Sequence, residues 1–170
     1  MMKLKITAGV IVLLISGALY AADTVTMNIT GNVIASACQI SSDSVNKSVD
    51  LGQNINASAL KTAGSSSDWV NFTINLDTCP EGTTKATMTL HGTADTDNPA
   101  DMYTNTGTAT NVAVQLQSQA GDQLGDGKTL TGDVVSAAVE YKLRARAYTQ
   151  SGSVTPGTIA AVVTATFVYQ

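Results

Sequence analysis

From residue 24 onward, apolar side chains recur at every second position, and no sustained 3.6-residue periodicity appears. Val70, Phe72, Ile74 and Leu76 form one such run, Ala86, Met88 and Leu90 a second, and Val112, Val114 and Leu116 a third. Val139, Tyr141, Leu143, Ala145 and Ala147 then alternate with Glu140, Lys142, Arg144 and Arg146, which places the cations on the wet face of a strand rather than in a binding patch. Turn-forming clusters punctuate the runs: Cys79-Pro80-Glu81-Gly82, His91-Gly92, Gly121-Asp122, Gly125-Asp126-Gly127, Ser151-Gly152 and Pro156-Gly157. Short strands at this spacing predict an all-β sandwich in a single domain. Residues 92–110 and 118–136, rich in Gly, Thr, Asp and Asn, read as loops, and 54–68 is the one stretch that could hold a short helix, through Ala57, Leu60 and Lys61.

The two ends carry the most information. Val25, Met27, Ile29, Gly31 and Val33 alternate with Thr24, Thr26, Asn28, Thr30 and Asn32, and the pattern runs on into residues 33–40 with only Gly31 as punctuation. The combined stretch exceeds the usual strand length of about 3–10 residues, so the first part is expected to pair somewhere other than in its own sheet. At the other end, Ile159, Ala161, Val163, Ala165, Phe167 and Tyr169 share one face of a terminal strand that finishes at Gln170. An apolar terminal strand leaves an outer edge that another segment must cover.

Ahead of this pattern, Lys3 and Lys5 precede an apolar run from Ile6 to Leu19, the signature of a cleaved export signal over residues 1–21. Ala21 suits the cleavage position, with cleavage after Ala22 the other option. The run is shorter than the roughly 20 residues a membrane span needs, and nothing later resembles a span. Processing would leave 149 residues carrying seven basic and thirteen acidic groups, a net charge of −6. In an oxidising compartment the two cysteines, Cys38 and Cys79, have only one intramolecular pairing open to them. Closing that loop would stabilise the domain by about 4 kcal/mol.

Composition agrees with sheet and narrows function. Threonine occurs 24 times, a β-branched bias, while charged residues make up only 13% of the chain. A pI near 4.7 offers no cationic surface for nucleic acid. The single histidine, His91, and the two cysteines cannot assemble a metal site or a nucleophile–base pair, so no metal or other cofactor is expected. Asp95, Asp97 and Asp101 sit in a polar stretch with no evident apolar wall to raise a carboxyl pKa, and they read as solvated. The chain is not expected to be an enzyme.

These features together resemble the pilin subunits of chaperone–usher pili of Gram-negative bacteria, above all the small adaptor subunits of the type 1 fimbrial tip. The next-to-last aromatic Tyr169, Gly157 fourteenth from the end, and the apolar alternation between them match the family's terminal strand. Cys38 after an alternating N-terminal extension, Cys79-Pro80 about forty residues on, Val49-Asp50-Leu51-Gly52, and Gly107-Thr108-Ala109-Thr110-Asn111-Val112 match further segments. The resemblance spans essentially the whole chain after the signal.

It implies an incomplete immunoglobulin-like sandwich lacking its last strand and completed by a donor strand from another chain. Residues 22–33 would be the donor extension, filling a neighbour through Val25, Met27, Ile29, Gly31 and Val33. Residues 34–170 would be the pilin domain, whose acceptor groove and chaperone-binding strand carry Gly157, Ile159, Ala161, Val163, Ala165, Phe167 and Tyr169. The implied partners are a periplasmic pilus chaperone, an outer-membrane usher and the neighbouring subunits, on a route through the periplasm to the cell-surface pilus. A minor tip adaptor is favoured through Asp77-Thr78-Cys79-Pro80-Glu81-Gly82-Thr83 and residues 105–112. A major rod pilin, or a single-domain polyadhesin binding receptors through residues 92–110, are the alternatives.

Overall fold

A computed structural model describes residues 24–170. The expected signal over residues 1–21 lies outside them. The described chain divides after Asn32. Residues 24–32 contain no helix or strand.

In residues 33–170 the order of elements is β1 (Gln39–Ile40), α1 (Ser42–Val45), a 3-10 turn (Ala57–Leu60), β2 (Val70–Asp77), β3 (Lys85–Gly92), β4 (Met102–Thr104), β5 (Ala113–Ser118), β6 (Thr129–Asp133), β7 (Val139–Tyr148) and β8 (Val163–Tyr169). One antiparallel sheet has the order β1-β2-β7-β5-β4, and the other has β6-β3-β8. The fold is the expected all-β, immunoglobulin-like sandwich one strand short. The two stretches read as loops each contain a strand, β4 and β6. Both are short and threonine- or glycine-bearing, so their patterns are too brief to register as alternation.

Burial follows the period-2 pattern where both sheets cover a strand. In β7 every odd-numbered position from Val139 to Ala147 is buried, and in β3 Ala86, Met88 and Leu90 are. Leu76, Leu116 and Leu124 join them to form the main core. Tyr103 and Tyr141 bring hydroxyls into this apolar layer, and each finds a backbone acceptor: Tyr103 donates to the Leu124 carbonyl at 2.9 Å and Tyr141 to that of Ala86 at 2.7 Å. Burial, and for Tyr103 the nearby Asp126 carboxylate, raises the phenol pKa values, that of Tyr103 to about 12.

Cys38 and Cys79 form the expected disulfide, with Cα atoms 4.1 Å apart. The turn after Cys79 is closed by Thr83 N–H donating to the Pro80 carbonyl, and the Thr83 hydroxyl donates to the Ser36 carbonyl at 2.8 Å. The bridge thus fixes the chain just before β1 to the β2–β3 connection.

Two sequence readings need correction. The Arg144/Arg146 face of β7 is only partly wet: both guanidinium groups stack on Trp69, at 4.3 and 4.1 Å from its ring centre, and donate to Gln117 and Gln115. Asp101, expected in solvent, is 1% exposed, because both those glutamines turn their amide N–H groups onto its Oδ2 at 2.7 and 2.6 Å.

Candidate functional site

Where the alternation of β7 and β3 is fully buried, that of β8 is not. Val163, Ala165, Phe167 and Tyr169 face inward yet remain half-buried, and so do Phe72 and Ile74 on the inner face of β2. Among the described residues, no strand covers this part of the inner faces of β8 and β2. Between them runs a groove of about 700 Å³. Its floor is formed by Phe72, Ile74, Leu116, Leu143 and Ala145, one rim by residues 47–55, and the other by Ile159, Ala161, Val163 and Ala165.

Both rims present free backbone. Among the described residues, 47–55 make no backbone–backbone hydrogen bond. This rim is shaped by its own side chains: Asp50 Oδ1 accepts from the Gly52 N–H at 2.9 Å and from Gln53 Nε2 at 2.8 Å, which holds the Asp50 carboxyl below the ordinary carboxylate pKa.

Across the groove, residues 155–160 lie against a strap formed by residues 105–110. The Thr158 carbonyl accepts from Ala109 N–H at 3.0 Å and the Ala160 carbonyl from Thr106 N–H at 2.8 Å. Thr108 and Thr158 exchange hydroxyl and amide bonds in both directions, and Thr110 N–H donates to the Thr155 hydroxyl. Close approach here depends on two glycines. A Cβ on Gly157 would overlap the Ala109 amide nitrogen and the Thr108 carbonyl carbon, and one on Gly107 would overlap the Thr158 carbonyl. Because strand residues direct their N–H and C=O groups to alternate edges, Thr158 and Ala160 serve the strap. Among the described residues, Ile159 and Ala161 find no backbone–backbone hydrogen-bond partner.

Two unpaired backbone rims above an apolar floor form a slot that a single extended strand can enter, pairing on both edges while its alternate side chains bury. Such a slot selects for period-2 hydrophobicity and a peptide backbone rather than for a charged or metal ligand.

The structure gathers only part of the expected acceptor set around this cavity. Gly157, Ile159, Ala161, Val163 and Ala165 line it. Phe167 instead packs on Tyr141, ring centres 6.0 Å apart, and Tyr169 donates its hydroxyl to the Cys38 carbonyl at 3.4 Å, its phenol pKa raised by burial. The donor residues Val25, Met27 and Ile29 are exposed, as are Gly31 and Val33, Val33 at 98%. Sequence reasoning missed the opposite rim, because Val49 and Leu51 alternate over three residues only, and it missed Asn105 in the strap, whose role lies in tertiary hydrogen bonds.

Of the carboxylates weighed for acid–base work, Asp95 serves a turn and Asp101 is buried beneath Gln115 and Gln117, while Asp126, not among them, ties a turn to β3. Asp95 Oδ1 accepts from the N–H groups of Asp97 and Asn98, and Asp126 Oδ1 accepts from Gly92 N–H with His91 Nδ1 at 3.8 Å. Within residues 92–110, suggested as a receptor-binding loop, 102–104 form β4 and 105–110 the strap.

A family model described as "Fimbrial protein" matches residues 27–170. The chain is 37% identical to Protein FimG of Escherichia coli strain K12 over 94% of this chain and 92% of that one. It is 36% identical to the S-fimbrial adhesin protein SfaS of Escherichia coli O6:K15:H31 over 99% of both. Among solved structures, the P pilus rod subunit PapA superposes with a TM-score of 0.66 at 23% identity, covering 78% of this chain and 99% of that one, a likeness of fold.

Proposed function

Since the chain belongs to the fimbrial protein family, we propose that it acts as a pilus subunit that receives one strand and donates another. The observation that carries this reading is the groove with two unpaired backbone rims above an apolar floor. The receiving side would be the slot lined by Gly157, Ile159, Ala161, Val163 and Ala165. The donating side would be residues 22–33, whose Val25, Met27, Ile29 and Val33 project to one side with Gly31 allowing close approach. Seven residues of donor, from Val25 to Gly31, and seven of rim, from Ile159 to Ala165, both span about 20 Å at roughly 3.3 Å per step between residues. A periplasmic chaperone would fill the slot before assembly, an outer-membrane usher would oversee the exchange, and residues 1–21 would direct export.

Within the pilus, a minor adaptor near the tip is the reading we favour. It rests on the 77–83 and 105–112 segments. A rod role or a polyadhesin role is separated from it by copy number, which quantitative mass spectrometry of purified fibres measures: a few copies per fibre for an adaptor, the bulk of the fibre for a rod pilin.

The strand-exchange reading is tested by adding a synthetic peptide of residues 23–35 to a chain beginning at Ser36. Tm is expected to rise by ten degrees or more, and the same peptide with Ile29→Asp is expected to have little effect. An unchanged Tm with the unmodified peptide would remove the acceptor assignment.

A further inference from the structure

The side chain of Asn105 uses its full hydrogen-bonding capacity on backbone. Its Oδ1 accepts from Gly107 N–H at 2.9 Å and from Ala160 N–H at 2.8 Å, while its Nδ2 donates to the Ala109 carbonyl at 2.8 Å and to that of Thr158 at 3.4 Å. The amide cannot be turned over, because two backbone N–H donors require the oxygen where it stands. Two of these four bonds stay within the strap, at Gly107 and Ala109. The other two reach the groove rim at Thr158 and Ala160, on either side of Ile159, whose side chain lines the slot.

We propose that Asn105 is a positioning residue for strand uptake, holding the 157–161 rim extended and in register before the incoming strand arrives. This rests on the strand-exchange reading above. Ahead of β8 the rim has no sheet partner among the described residues: 155–162 lie outside any strand, and what keeps them extended is the strap. By pinning Thr158 and Ala160 from the rear, Asn105 leaves the Ile159 and Ala161 backbone groups turned toward the slot. An incoming strand then meets a prepared edge and need not order the rim itself, and such pre-organisation appears mainly in the rate of capture. Aspartate in its place would keep the two acceptor bonds, to Gly107 and Ala160, and lose the two donor bonds.

The experiment uses the full chain from Ala22 and a fluorescent peptide of residues 23–35, following uptake by anisotropy. Asn105→Ala is expected to slow uptake tenfold or more and Asn105→Asp about threefold. Tyr141→Phe, which weakens the core away from the strap, is expected to stay within twofold of the unaltered chain. Hydrogen exchange supplies a reading independent of the peptide: the Ala160 amide is expected to exchange faster in Asn105→Ala, with the β3 amides unchanged. Uptake by Asn105→Ala at the unaltered rate would overturn the proposal, as would an equal slowing in Tyr141→Phe, which would make general stability the cause. Should Asn105→Ala not fold, Asn105→Asp decides, a slowed uptake supporting the role and an unaltered rate overturning it. Failure of the unaltered chain to take up any peptide would instead strike the strand-exchange reading, while the exchange rate of Ala160 would still report on Asn105.

Discussion

Tyr141 of β7 reaches across the sandwich to place its hydroxyl 2.7 Å from the carbonyl oxygen of Ala86 in β3. It is a polar tie between the two sheets inside an otherwise apolar core. Tyr141→Phe keeps the ring, and with it the contact to Phe167, but strips the buried carbonyl of this donor. A loss of about 1–2 kcal/mol is expected in urea unfolding, with no change in the slope against denaturant.

The same phenol and that of Tyr103 set the alkaline limit of the domain. Folding raises both pKa values above the free phenol's 10.0, that of Tyr103 to about 12, so the native state keeps protons that the unfolded chain releases. Their contribution is therefore complete below pH 10 and is lost as pH climbs toward 12. The unfolding midpoint should fall steeply over that window, with phenolate absorbance appearing together with loss of structure. Titration of Tyr103 and Tyr141 near pH 10 in a still-folded domain would contradict it.

Gly157 can be enlarged only by moving backbone, since a Cβ would press on the Thr108–Ala109 peptide of the strap. Gly157→Ala is expected to cost about 1–3 kcal/mol, on the scale of other over-packing changes. It should also weaken protection of the Ala109 and Ala160 amides before that of β3. Uniform loss of protection would place the damage elsewhere.

Reduction of Cys38–Cys79 opens a closure of 41 residues. On the loop-entropy estimate the domain should lose about 4 kcal/mol. The Thr83–Ser36 and Tyr169–Cys38 hydrogen bonds hang on the same corner, so fraying is expected to start there. An unfolding midpoint that ignores reductant would show that the bridge adds nothing.

Much of this fold is legible in the residues themselves. Long alternations such as 139–147 and 70–76 become β7 and β2 because each offers several consecutive side chains to one core, and a period of two admits no other element. Met102–Thr104 and Thr129–Asp133 were hidden because strands of three and five residues form by pairing with neighbours rather than by their own pattern. The groove was half visible. Its β8 rim follows from the terminal alternation, whereas the 47–55 rim has no periodicity to read and is placed by the fold. Phe167 and Tyr169 share the alternation of Ile159 to Ala165 but not the cavity, because Phe167 packs on Tyr141 and Tyr169 bonds the Cys38 carbonyl. Asp101 shows the limit of local composition: a polar neighbourhood in sequence became a buried one once Gln115 and Gln117 folded over it.

The placement of the opening has a consequence for architecture. β6 and β7 lie close together along one side of the sandwich, and the apolar groove opens on the other, between β8 and residues 47–55. A subunit that accepts at one seam and contributes one leading segment has two connections of opposite kind. Head-to-tail contacts of that sort propagate without closing on themselves. On the strand-exchange reading, the polymer they would build is an unbranched thread with a direction, in which each member's integrity would depend on the next to arrive.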